Sequence, residues 1–255
     1  MRRDRTALRH TRHQLLGIPL LLLAACNGPN PQGPSNGEQP NGTGEITPPT
    51  AESVEVACRD LHDSLPHLWP ERLQPVHAAG RAAEPFLIQA FEEAPAAPGA
   101  QATLAALGRI GDKAAIELCQ QLVEERAPLA YEAALALGEL PTDKTNEVLR
   151  QCVSDRHSDA SLRTAAACSL ARHGEQELAP TFLAAIVRAG TPAGRADEKA
   201  LGLPGKSRWA RERYFVQRTL QKLGHQDLCD ALDSDAPWPA LEKLAPRVAA
   251  RLSGQ

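Results

Sequence analysis

From Ser53 onward the apolar positions of this chain fall at helical intervals. Val54, Cys58, Leu61 and Leu65 are separated by four, three and four residues, which places them on one side of a first helix. Pro66 and Pro70 are expected to end it, because proline lacks the N–H that a helix interior uses. Ala115, Ile116, Cys119, Leu122 and Val123 trace a second apolar stripe, and Val148, Leu149, Cys152 and Val153 a third. No stretch shows the alternation of a half-buried strand. The expected fold class is therefore all-α. Aromatic residues are only 4% of the chain, so Leu, Val and Ala must fill the core by packing closely between helices.

The middle of the chain repeats itself. Ala102-Thr-Leu-Ala-Ala-Leu-Gly108-Arg-Ile-Gly-Asp112 is echoed by Ala133-Ala-Leu-Ala-Leu-Gly138-Glu-Leu-Pro-Thr-Asp143 and by Ala165-Ala-Ala-Cys-Ser-Leu-Ala171-Arg-His-Gly-Glu175. Fainter copies stand at Val76–Gly80 and Leu220–Asp227. Leu107, Leu137 and Leu170 are 30 and 33 residues apart, the period of a helical solenoid. In each copy a first helix of small residues lets its neighbours approach. Glycine or alanine then closes it, with glycine suited to a left-handed C-terminal position. Asp112, Thr142 or Asp143 is placed to cap the second helix.

The Ala-rich helix, the Leu-Gly break and the acidic cap resemble HEAT repeats, especially the short variety of the phycobilin lyases. The resemblance covers residues 70–190 well and 208–250 less well. It implies a short α-solenoid of about four to five helical hairpins over residues 53–255. It specifies architecture far better than activity. Between Leu170 and Leu223 the period stretches to 53 residues, which implies an insertion near 190–207 rich in Gly and Pro. A long loop in a tight stack is either a functional element or a spacer.

The N-terminus reads as an export signal. Arg2, Arg3, Arg5, Arg9 and Arg12 precede an apolar run from Leu15 to Ala25, too short to span a bilayer. The run ends Leu23-Ala24-Ala25-Cys26, which resembles a bacterial lipobox. That resemblance implies cleavage after residue 25, acylation of Cys26 and stable anchoring by more than one chain. Asn27 stands where an aspartate would favour inner-membrane retention, so the expected place is the outer membrane, facing the periplasm. Residues 26–52 follow as a lipidated cysteine and a tether. With six Pro, five Gly and four Asn in residues 27–50, that segment cannot bury enough apolar surface to offset its ordering entropy. Its mean span would be roughly 25–30 Å.

The whole chain carries a formal charge of -3, and loss of residues 1–25 leaves 23 basic and 30 acidic side chains. That balance argues against nucleic acid as a partner.

Three patterns resemble catalytic or binding motifs, and each lacks its setting. Gly33-Pro-Ser35-Asn-Gly37 spells a nucleophile elbow but lies in the tether, without a strand before it. Ala200-Leu-Gly-Leu-Pro-Gly205-Lys206-Ser207 approaches a phosphate loop without its first glycine or an upstream strand, so no nucleotide is expected. Asp60, His62, Asp63 and His67 offer metal-type donors, but a solvated helix face is the expected role, and neither metal nor cofactor is expected. HEAT-like deoxyhypusine hydroxylases hold iron with His-Glu dipeptides, and this chain contains none.

Five cysteines remain after Cys26: Cys58, Cys119, Cys152, Cys168 and Cys229. Export makes disulfides possible, and the odd count leaves at least one without an intramolecular partner. Free, core-filling thiols are the favoured expectation, because helix axes in contact lie about 8–10 Å apart and bridged Cα atoms within about 7 Å.

Lys206, Arg208, Arg211, Arg213, Arg218 and Lys222 surround a single acid, Glu212. Gly205, Lys206, Ser207, Arg208 and Arg211 could form an anion-accepting helix start. Pairing of the basic helix with Asp227, Asp230, Asp233 and Asp235 would instead neutralise it. The chain thus reads as a lipid-anchored, non-enzymatic interaction scaffold with an envelope protein as partner. An anion or envelope-lipid binder acting through residues 205–222, or an enzyme of the HEAT-like lyase type, is the alternative.

Overall fold

The computed structural model describes residues 49–188, 208–232 and 238–254, and all regular structure among them is helical. The signal peptide, Cys26, most of the tether and the insertion near 190–207 lie outside the described residues.

The helix α1 (Ala51–Asp63) starts two residues before the expected boundary, because the Thr50 hydroxyl accepts the Ser53 N–H as an N-cap. Val54, Cys58 and Leu61 are buried as the spacing predicts. Leu65 is not: it is 52% exposed, since Ser64 turns extended (φ −80, ψ 147) and ends the helix one residue earlier. Trp69 takes the inward place and donates its indole N–H to the Ser64 carbonyl at 3.0 Å. Pro70 does not stop a helix. It sits in the first turn of α2 (Trp69–Ala79), where its missing N–H has no intrahelical partner to lose.

Beyond it lie α3 (Glu84–Glu93), α4 (Ala100–Ile110), α5 (Lys113–Glu124), α6 (Ala130–Leu137), α7 (Asp143–Ser154), α8 (Ala160–Arg172) and α9 (Leu178–Arg188). After the insertion come α10 (Arg208–Lys222), α11 (Gln226–Ala231) and α12 (Trp238–Leu252). Packing follows two rows: α4 lies against α6, α6 against α8 and α8 against α10, while α3 lies against α5 and α5 against α7. α1 closes one end over α2, α3 and α4, and α12 packs on α9 at the other. Leu107, Leu137 and Leu170 all have zero exposure, so the recurring leucine is a core position in three alternate helices, α4, α6 and α8.

α8 shows why the first helices are built from small residues. It touches α6, α7, α9 and α10 at once, and every residue from Ser161 to Ala171 except Arg163 is buried. Apart from Leu162 and Leu170 these buried residues are Ala, Ser, Thr and Cys, small enough for four neighbours to close around one helix.

Gly108 and Gly138 act differently from the expectation. Gly108 lies inside α4, and a Cβ there would come 2.9 Å from the Cα of Ala136. Gly138 has right-handed helical angles (φ −68, ψ −9), and its absent side chain makes room for Ser169 and Arg172 of the next repeat. Both are points of close helix approach. Gly80 (φ 56) and Gly224 (φ 81) of the fainter copies do have positive φ as expected, and so does Gly174 (φ 77), three residues past Ala171.

The caps divide likewise. Thr142 caps α7 by accepting the Thr145 N–H at 3.0 Å. Asp112 makes no such bond; its carboxylate pairs with Arg81 at 3.0 Å. Glu84 of α3 caps α5 instead, its Oε1 accepting the N–H groups of Asp112 and Ala115, each at 2.9 Å. The acid that serves the helix comes from the preceding hairpin.

Candidate functional site

Of the five residues proposed for an anion-accepting helix start, Gly205, Lys206 and Ser207 lie outside the described residues. Arg208 and Arg211 fall in the opening turn of α10, and their side chains lie outside the description too. The proposed lipidation site Cys26 is outside as well.

The rest of the basic helix is committed to internal contacts. Lys222 bonds to Glu139, and Arg172 donates to the same Glu139 oxygen at 2.5 Å. Arg172 also donates to the Leu135 carbonyl at 3.0 Å and to the Ser169 hydroxyl at 3.1 Å. One guanidinium thus crosses the C-terminal end of α6, where the helix dipole favours a cation. Burial raises the Glu139 pKa, but Arg172 and Lys222 together outweigh it and hold the carboxyl below its ordinary range. Arg218 donates to Gln221 at 2.7 Å.

Of the four acids expected to neutralise the basic helix, Asp227 and Asp230 are described. Asp227 reaches Arg247 and Arg251 of α12, each at 3.6 Å, and Asp230 accepts from Gln226. Asp233 and Asp235 lie outside the described residues. The acid that meets Lys222 stands 83 positions earlier, a distance no local reading spans.

His62 overturns another expectation. It is 2% exposed, not on a solvated face. Its Nδ1 lies 2.9 Å from the Thr103 hydroxyl and its Nε2 2.9 Å from the Ala94 carbonyl, so the imidazole joins α1, α4 and the loop between α3 and α4. Gly99 completes the joint by donating its N–H to the His62 carbonyl at 2.8 Å. Asp60 is exposed and pairs with Arg72 at 3.1 Å, while Asp63 and His67 are exposed. Among the described residues no group of three His, Cys, Asp or Glu side chains is placed to hold a metal ion.

A second imidazole, that of the half-buried His173, bonds through Nδ1 to Asn146 at 2.5 Å and ties α8 to α7. Burial holds its pKa below the ordinary histidine value. Sequence reasoning named His62 for the wrong role and passed over His173, Arg172 and Glu84. Arg172 and His173 directly follow the break of the third copy, which was the available signal for those two.

All five cysteines are free thiols. Four are buried, and Cys229 is half-buried. Burial pushes Cys119 up to about 12, and Cys58, Cys152 and Cys168 each up to about 11. Thiolate is the nucleophile, so these groups are inert at neutral pH. Alkylation of the native chain at pH 8, mapped by mass spectrometry, is expected to label Cys229 and to spare the other four.

A consequence for stability follows. The folded pKa values lie above the ordinary 9.0, so the buried thiols support folding fully below pH 9. That support is lost as pH rises towards 11 and 12, at up to about 1.4 kcal/mol per pH unit for each thiol. The urea midpoint should fall between pH 9 and 11, and Cys119→Ala should make the fall shallower. An unchanged slope in that variant would mean other groups carry it.

The fold and these contacts define an all-α protein in which several charged side chains, among them Arg81, Arg150, Arg172 and Lys222, join separate helices or the loops beside them. No family model, curated protein or solved structure matches the chain. No helix among the described residues is long and apolar enough to cross a membrane.

Proposed function

We propose that this chain is a lipid-anchored, non-enzymatic protein–protein interaction scaffold of the bacterial cell envelope, its folded part a short α-solenoid of HEAT-like hairpins. Cys26 supplies the anchor, the Pro- and Gly-rich segment sets the reach, and the outer membrane facing the periplasm is the proposed site. The observation that carries the reading is the low charge of α4 and α6. Each bears one charged residue, Arg109 and Glu132, whereas α5 bears Lys113, Glu117 and Glu124, and α7 bears Asp143, Lys144, Glu147 and Arg150. Further along the first row α8 carries Arg163 and Arg172, and α10 the basic segment. Protein interfaces are depleted of charge at their centres, so the part of the first row made by α4 and α6 is the better partner face.

Two experiments test this. Cys26→Ser should abolish acyl labelling and release the chain from the membrane fraction; equal label on both forms would end the lipoprotein reading. The acylated chain, purified from detergent-solubilised membranes, should carry a stoichiometric protein partner. Ala105→Arg, at a partly exposed position of α4, should lose that partner while circular dichroism shows the chain still folded, whereas Glu147→Lys at an exposed position of α7 should keep it. Recovery of phospholipid or phosphate alone would favour the alternative site in residues 205–222.

A further inference from the structure

We draw no further inference here: the strongest candidate, the open cleft between α10 and α11 lined by Tyr214, Gln217, Arg218, Cys229 and Asp230, rests on one half-buried cysteine, and nothing in the structure shows what occupies it.

Discussion

Truncating Leu137 to Ala is expected to lower the unfolding free energy by about 2–5 kcal/mol, a large part of the stability of a domain this size. The side chain is fully buried, and its helix packs on α4, α5 and α8, so the loss leaves a cavity with walls on several sides. Helices held from different directions cannot all move in to fill it, which keeps the cost near the upper part of the range. Amide exchange should accelerate in α4, α5 and α8 as well as in α6, because they share the damaged contact. Leu65→Ala is the control: at 52% exposure it should shift stability by less than about 0.5 kcal/mol. A urea melt reads both. A cost below about 1 kcal/mol at Leu137 would mean that the leucine repeat does not mark the core.

Gly138→Ala sets two effects against each other. Gly138 has right-handed helical angles, so backbone entropy alone predicts that Ala stabilises by about 1 kcal/mol. Packing predicts the opposite. The new Cβ would stand 2.0 Å from Nη2 of Arg172, 2.4 Å from the Ser169 hydroxyl and 2.7 Å from the Ser169 Cβ. Arg172 can swing away, but then its bonds to Glu139, Leu135 and Ser169 are lost. The Ser169 Cβ cannot move without its helix. Overpacking of this kind typically costs about 1–3 kcal/mol, so the net sign should be destabilising. Thermal melting decides it: a rise in melting temperature would show that α6 and α8 can separate freely at this point.

Much of the architecture was legible in the residues. The intervals from Val54 to Leu61 mark buried positions because a helix returns to one face every 3.6 residues, and the 30- and 33-residue spacing of Leu107, Leu137 and Leu170 marks them because a similar segment recurs along the chain. The Thr142 cap was legible for the same reason, since donor and acceptor lie within one turn. Pro66 and Pro70 were harder. Proline disfavours a helix interior, although Pro75 lies within α2 and Pro246 within α12, and it is at home in a helix's first turn, so only the path of the chain chooses. The candidate anion site remains a sequence proposal, because its three central residues lie outside the described structure.

What the sequence by itself determined is local and periodic: the helical class, the recurring core leucines, the small residues of α8 and the cysteines as core filling. The tertiary structure decided the polar joints. Glu84 caps a helix 28 to 31 positions away, Arg172 meets Glu139 across 33, and His62 reaches Thr103 across 41. It also decided that Gly108 and Gly138 stand at points of close helix approach rather than in left-handed turns. The physical reason is range. Hydrophobic periodicity is written in neighbours three and four residues apart. A buried charge or imidazole is satisfied by whichever partner the packing of separate helices brings within about 3 Å.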